Sequence, residues 1–174
     1  MIRPGRRGRV AAAAAVLVVA STGCGGARLT DGRAVVVIDK GFQVSPPRGW
    51  ERVPGEADLA VRDVAGGAGL MAHGTCGDRT SARAPSILAR HLRFGLREVR
   101  DLAETPAVVS GYPGTRSQFT ARLDARRVAV SAVTIVGGGC VYDLVAVVPA
   151  DQPAALTEAF ERFVASFGPV EGRP

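Results

Sequence analysis

The chain has 174 residues, and its 22 Lys and Arg against 16 Asp and Glu give a formal net charge of +6. Four of the arginines lie at positions 3, 6, 7 and 9, in a segment that we expect to be removed, and 22 less these four leaves 18 basic residues against 16 acidic ones. So small an excess excludes the strongly basic footprint of a nucleic-acid-binding domain. Roughly 150 residues remain after that segment, which suits one domain with a sizeable core.

Residues 1–23 have the three parts of a secretory signal peptide, namely basic residues, an apolar run over residues 10–20 and small residues after it. The apolar run has about eleven residues, fewer than the ~20 that a membrane-spanning helix needs. Gly23-Cys24 resembles the end of a bacterial lipobox, in which the cysteine thiol receives a diacylglycerol, although Ser21 stands where Leu is usual. The pattern predicts lipidation of Cys24, and the alternative is ordinary cleavage after Ala20.

The cysteine count agrees with lipidation. Exported domains meet oxidising conditions, in which thiols pair as disulfides. If Cys24 is acylated, Cys76 and Cys140 remain as an even pair, and we predict a disulfide between them. Such a bridge would close a loop of about 64 residues and stabilise the fold by roughly 2–4 kcal/mol. The alternative is two separately buried thiols.

The first part of the mature chain reads as a tether followed by strands. Residues 24–33 are small and polar, which predicts a flexible tether between lipid and domain. Strands are expected at residues 34–38 and 42–45, where the apolar pattern ends at a proline pair. Trp50, the only tryptophan, is expected to anchor the core, with stacking on a ligand as the alternative. Alternation from residue 59 and the apolar run at residues 70–76 predict a hairpin.

Residues 86–103 have the strongest helical pattern in the chain. The spacing predicts one long amphipathic helix, because apolar residues recur at Leu88, Leu92, Leu96, Val99 and Ala103. A stripe of cations lies on another face and consists of Arg90, Arg93, Arg97 and Arg100. We interpret this stripe as a candidate surface for anionic lipid headgroups or an acidic partner protein. The alternative is a solvated face, since Glu98 and Asp101 sit among the arginines.

Three strands are predicted in succession, at residues 115–124, 128–136 and 140–148. The last two are apolar on both faces, with Asp143 as the single acid, so they must be covered on both sides. A final helix is predicted between Asp151 and Phe167. We therefore predict one α+β domain over residues 34–169, an antiparallel sheet covered by helices on both faces, followed by a disordered tail at residues 170–174.

Short motifs lie at each end of this predicted domain. Near the start stands Gly41-Phe42-Gln43-Val44, followed by Pro47-Arg48-Gly49-Trp50, and near the end stands Phe163-Val164-Ala165-Ser166-Phe167. They resemble the early strand, the P-x-G-W turn and the F…SF ending of the PsbP-like fold, which an extrinsic photosystem protein shares with bacterial exported lipoproteins of the DcrB and LpqN kind. The resemblance implies a binding or assembly module with no shared catalytic constellation, and it does not imply a photosystem role.

No side-chain pattern indicates catalysis or a resident metal. His73, Cys76 and His91 are candidate ligands, but Cys76 is better explained by oxidation and His91 by a place at the edge of the core. No serine has a recognisable base and orienting acid. Residues 137–139 are glycines but lack the lysine and helix of a phosphate-binding loop, so they predict a hairpin turn. We predict no metal, no cofactor and no nucleic acid.

The sequence therefore predicts a non-enzymatic, lipid-anchored protein of the bacterial cell envelope, facing the periplasm or the exterior. Its folded domain is expected to bind an envelope protein or to help assemble an envelope complex. The alternative is a lipid or small-molecule carrier that serves an envelope transporter and holds its ligand between sheet and helix.

Overall fold

The computed structural model describes residues 27–30, 33–65, 67–77, 83–152 and 154–170, which form two antiparallel sheets and short helical segments. The small sheet consists, in spatial order, of β1 (Ala27–Thr30), β2 (Arg33–Ile38), β3 (Phe42–Val44) and β11 (Gly168–Pro169). The large sheet consists, in spatial order, of β4 (Glu51–Arg52), β5 (Leu59–Arg62), β6 (Gly69–Cys76), β10 (Cys140–Pro149), β9 (Arg126–Gly137), β8 (Tyr112–Leu123) and β7 (Arg97–Val109). The helical segments are α1 (Pro85–Leu88), a 3-10 helix (Ala89–Arg93) that continues it, and α2 (Ala154–Ala165).

The centre of the large sheet is the β9–β10 pair, as the apolar pattern predicts. Leu144 and Val133 are opposite one another on one face, and Val145 and Ala132 on the other, and all four are buried. The glycines at positions 137–139 form the turn between β9 and β10, as predicted. Two of them have positive φ, and Gly137 lies against the ring of Tyr112, where a Cβ would come within 2.1 Å of Cδ1.

The first face of the sheet is covered by α2, and the prediction of a C-terminal helix is confirmed. Phe160, Phe163 and Phe167 are buried in the same cluster as Phe42 and Tyr142. The rings of the last pair have centroids 5.0 Å apart, which is within the range at which tilted aromatic rings attract one another. The small sheet also packs here, because Val36, Ile38 and Val44 belong to this cluster.

The second face corrects the prediction of one long helix over residues 86–103. Helical structure ends at Arg93, Gly95 adopts a φ of 83°, and the chain continues as the edge strand β7. Irregularities in the register with β8 lie between Arg97 and Ala103. A bulge adds one residue to a strand, so residues three apart can lie on the same face. Leu96 and Val99 pack on one cluster in this way, which explains why their spacing imitates a helix.

A helical layer on each face is therefore not confirmed. The second face carries a smaller core of Phe119, Val130, Ala132 and Val145. It is covered by the short α1 and 3-10 segment, which contributes Leu92, by Leu96 just before β7, and by Val99 of β7.

The predicted domain limits need two corrections. The tether at residues 24–33 is wrong for Ala27–Thr30, because these residues pair with β2 as a strand. The tail at residues 170–174 is wrong for Val170, whose N–H donates to the Gly41 carbonyl at 2.9 Å. The signal peptide, Cys24 and residues 171–174 lie outside the described residues. Within the described ranges, no helix is long and apolar enough to cross a bilayer.

The predicted disulfide between Cys76 and Cys140 is confirmed. The two cysteines are direct cross-strand partners at one end of β6 and β10, and 64 positions separate them in the sequence. The bond therefore joins the central pair of strands to the part of the sheet that is formed earlier in the chain.

Replacing both cysteines, Cys76→Ser with Cys140→Ser, should lower the free energy of unfolding by about 2–4 kcal/mol, because the unfolded chain regains the freedom that the long loop closure removes. Urea unfolding of the oxidised protein, the reduced protein and the double variant measures this loss. The reduced wild type serves as the control and should match the double variant. Equal midpoints for all three samples would contradict the assigned role.

Candidate functional site

A row of polar side chains crosses the second face of the large sheet. Thr115 on β8, Thr134 on β9, Asp143 on β10 and His73 on β6 are successive cross-strand partners, so they share one face. Thr134 is only 1% exposed. The row lies beside the apolar residues of the second core, where polar groups remain only if they are hydrogen-bonded.

Asp143 is the charged group at the middle of this polar row. The Thr134 hydroxyl donates to its Oδ1 at 2.6 Å. Burial raises the pKa of the Asp143 carboxyl, while the hydroxyl bond and the positive potential of His73 and His91 act in the opposite direction. The side chain is therefore held in a site that favours the neutral carboxyl more than water does.

His73 stands between Asp143 and a second carboxylate, Asp58. The His73 Nδ1 atom lies 3.3 Å from Asp58 Oδ2, but it is buried and has no hydrogen bond of good geometry. Asp58 itself is held firmly, because its Oδ2 accepts the Gly74 N–H at 2.7 Å and its Oδ1 lies 3.0 Å from Lys40 Nζ. The arrangement connects β6 to the loop before β5 and to the turn between β2 and β3.

This polar row offers no recognisable catalytic machinery. The Thr134 hydroxyl is directed to Asp143 and is shielded from any substrate. The candidate metal ligands are also separated, since Cys76 is in the disulfide, His73 faces Asp58, and the His91 ring stacks on Phe94. Across the described ranges, no three His, Cys, Asp or Glu residues are grouped so that they could hold a metal ion.

An open pocket of about 690 Å³ lies between α2, the small sheet and the turn after β3. Trp50 lines it and also packs on the main core, so the predicted anchoring role is confirmed. The other walls include Pro46, Pro47, Ala159 and Phe163, with Arg48, Asp63 and Arg162 at polar positions. The pocket therefore combines apolar walls with a few charged groups and is open to solvent.

The four arginines of the predicted stripe do not lie along one face of a helix. Arg90 and Arg93 are in the 3-10 helix, where Arg93 Nη1 lies 3.4 Å from Glu104 Oε1. Arg97 and Arg100 are on β7, opposite residues of β8. The helical arrangement was wrong for the same reason as the helix, and anionic binding by these four residues stays a prediction.

Sequence reasoning missed most of the polar row. The sequence marked Asp143 only as the single acid on an apolar strand face. Asp58 and Thr134 have no sequence signal, because their roles depend on cross-strand neighbours that are distant in the chain.

No family model matches the sequence, and no curated protein matches it. Among solved structures, LpqN of Mycobacterium tuberculosis, described as involved in cell envelope biogenesis, matches with a TM-score of 0.55 and 14% identity, over 72% of this chain and 81% of that one. Cyanobacterial PsbP from Synechocystis sp. PCC 6803 matches with a TM-score of 0.57 and 12% identity, over 89% of this chain and 98% of that one.

A protein of Bacteroides thetaiotaomicron VPI-5482 matches with a TM-score of 0.57 and 10% identity. The match covers 75% of this chain but only 46% of the Bacteroides protein, which is longer. Likeness at such low identity concerns the fold. The fold is PsbP-like, as the sequence motifs suggest.

Replacing Asp143 by Asn should remove one pH-dependent component of stability. A carboxyl whose pKa is raised by folding stabilises the protein fully below its unfolded pKa, and this contribution is lost as the pH rises through the folded pKa. Asn keeps an acceptor for Thr134 but cannot ionise. The free energy of unfolding of the Asp143→Asn variant, relative to that of the wild type, should therefore increase as the pH rises above about 4, the usual pKa of Asp.

Chemical unfolding at a series of pH values measures this difference, with exposed Asp151→Asn as the matched control. A difference between Asp143→Asn and the wild type that is independent of pH would contradict the assignment. A reversed slope would show that the histidines outweigh burial.

Proposed function

We propose that this chain is a lipid-anchored protein of the bacterial cell envelope whose folded domain is a non-enzymatic protein-binding or complex-assembly module. Three observations support export to the envelope. The N-terminal pattern ends at Cys24 in a lipobox-like dipeptide, the domain contains a disulfide, and the fold is shared with LpqN, an envelope biogenesis protein.

The observation that carries the binding role is the exposed apolar surface of residues 85–109. Of the six large apolar side chains that are exposed in the described residues, four lie on this segment, namely Ile87, Phe94, Leu102 and Val108. Phe94 is 78% exposed and Val108 is 76% exposed. Single exposed apolar residues are common, and it is the concentration of four of the six on one segment that supports a binding surface here.

The edge strand β7 has features that disfavour pairing with strands of other molecules. Glu98 and Asp101 have positive φ in the bulged part, and Pro106 has no N–H to donate. Bulges, charges and proline are the devices that prevent edge-to-edge aggregation. The partner is therefore expected to contact side chains of the segment rather than to add a strand.

A photo-cross-linking amino acid at Phe94 or at Val108 should capture the same envelope protein in intact cells of the source organism. The matched control position is Val64, which is 64% exposed but lies outside the segment, in the turn between β5 and β6. Adducts are expected at the first two positions and not at the control. The absence of adducts at both positions, or identical adducts at all three, would count against the proposed surface.

The runner-up function, a lipid or small-molecule carrier, is favoured by the pocket that Trp50 lines. Its volume of about 690 Å³ is in the usual range of ~300–1,000 Å³ for ligand sites. If the domain is a carrier, native mass spectrometry of protein purified from its source should show a bound small molecule or lipid.

The substitution Ala159→Phe, which fills the pocket, should then remove most of the bound-ligand signal in the mass spectrum. Ala165→Phe, at an exposed position of the same helix, should leave it unchanged. A wild-type protein that purifies without any ligand, or a ligand that both variants retain, would contradict the carrier function.

A further inference from the structure

Three exposed arginines stand side by side across three strands of the large sheet. Arg97 on β7 is opposite Arg122 on β8, and Arg122 is in turn opposite Arg127 on β9. Cross-strand partners point to the same face, with Cβ atoms about 4.5–5.5 Å apart. The three residues, which we call the arginine row, therefore project from one face in a line across three strands.

Such a row is unfavourable for the sheet itself. Like charges directly opposite one another destabilise antiparallel pairs. One acid offsets part of this repulsion, because Arg122 Nη1 lies 3.2 Å from Glu98 Oε1 at the surface. The nearby Asp101 accepts the Thr120 hydroxyl at 3.1 Å. Stability alone would favour an acid at one of the three positions, so the row indicates an external anion.

The shape of the row favours a flat array of anions over a single small one. Guanidinium groups pair with phosphate oxygens through two parallel hydrogen bonds. Neighbouring strands are about 4.8 Å apart, so the outer two arginines are separated by roughly 10 Å. A line of this length matches several phosphate groups in one plane, as a bilayer surface offers.

The start of β1 places the domain close to such a surface. Only residues 25 and 26 separate Cys24 from Ala27, the first residue of β1. The three peptide units from Cys24 to Ala27 span about 11 Å even when fully extended. An acylated Cys24 would thus hold the folded domain directly at the headgroups, which a long flexible tether would not do.

We propose that Arg97, Arg122 and Arg127 bind anionic lipid headgroups and hold the domain against the membrane to which it is anchored. The proposal rests on the proposed lipid anchor for its location, but its chemistry can be tested without the anchor. The arginine row differs from the anionic-binding surface that the sequence predicted, because the two share only Arg97.

The test uses the full chain with Cys24→Ser, which cannot be acylated, and vesicles of phosphatidylcholine with or without phosphatidylglycerol. All variants share the same N-terminal segment, so differences between them belong to the domain. Replacing the three arginines of the row by Gln should weaken binding to the anionic vesicles about fivefold per arginine, and about a hundredfold together. Binding to the neutral vesicles should not change.

The matched control removes the same charge elsewhere, with Arg52→Gln, Arg62→Gln and Arg83→Gln on other parts of the surface. These substitutions should weaken binding only slightly. An equal loss in the control set would overturn the proposal, because net charge would then explain the binding. Undiminished vesicle binding by the row variant would also overturn it, and loss of the envelope cross-link in that variant would assign the row to an acidic protein.

A stability measurement separates a binding role from a structural one. Because the row is self-repelling, Arg127→Gln should leave the thermal midpoint unchanged or raise it while it weakens anionic vesicle binding. A lowered midpoint would show that the residue serves the fold and would contradict the proposal. This single variant also provides the test if the triple variant does not fold.

The lipid anchor is tested separately, by metabolic labelling of the wild-type chain with radioactive palmitate. Absence of label in the wild type would refute the anchor and with it the location that supports the proposal, whatever the vesicles show. Label in the wild type that is lost in Cys24→Ser, together with vesicle binding that depends on the row, supports both.

Discussion

The pairing of β9 with β10 is the constraint on which the remaining structure depends. Both strands are apolar on both faces, so neither face can be left to water. Each face requires its own cover, and the chain supplies the two covers from distant parts of the sequence. The first comes from α2 and the small sheet, and the second from residues before and within β7. The disulfide fixes the central pair to β6 at one end of these strands.

The two covers differ, and the difference matters for function. On the first face, aromatic residues of α2 are buried against Phe42 and Tyr142, and Arg116 forms a bidentate pair with Glu161 on the helix. On the second face, a short helical segment and a bulged edge strand provide a thinner cover. They partly bury Leu96 and Val99 but leave Phe94 and Val108 exposed. A long helix at this place would have hidden the sheet edge, whereas the bulged strand presents it. The proposed protein-binding surface is thus a consequence of how the second face is closed.

Two rows of polar side chains follow from strand register alone. The row through Thr134, Asp143 and His73 is partly buried beside the second core, while the arginine row is exposed near the β8–β9 turn. In each, neighbouring members come from different strands, so their proximity depends on which strands pair and in what register. A shift of one residue would turn each affected side chain to the opposite face. The polar row depends on the β9–β10 pairing that organises the core, whereas the arginine row depends on the pairing of β8 with β9 and with β7.

The amino-acid sequence by itself determined the features that depend on local pattern. The alternation of Leu144 and Val145, the amphipathic α2 and the number of cysteines predict the central strands, the C-terminal helix and the disulfide, because periodicity and pairing chemistry act regardless of topology. Tertiary structure decided the rest. Residues 97–103 became a bulged strand because pairing with β8 outweighed a helical spacing that the bulges reproduce. Asp58, Thr134 and the arginine row acquired their roles only when strand order brought distant residues together, which no local pattern encodes.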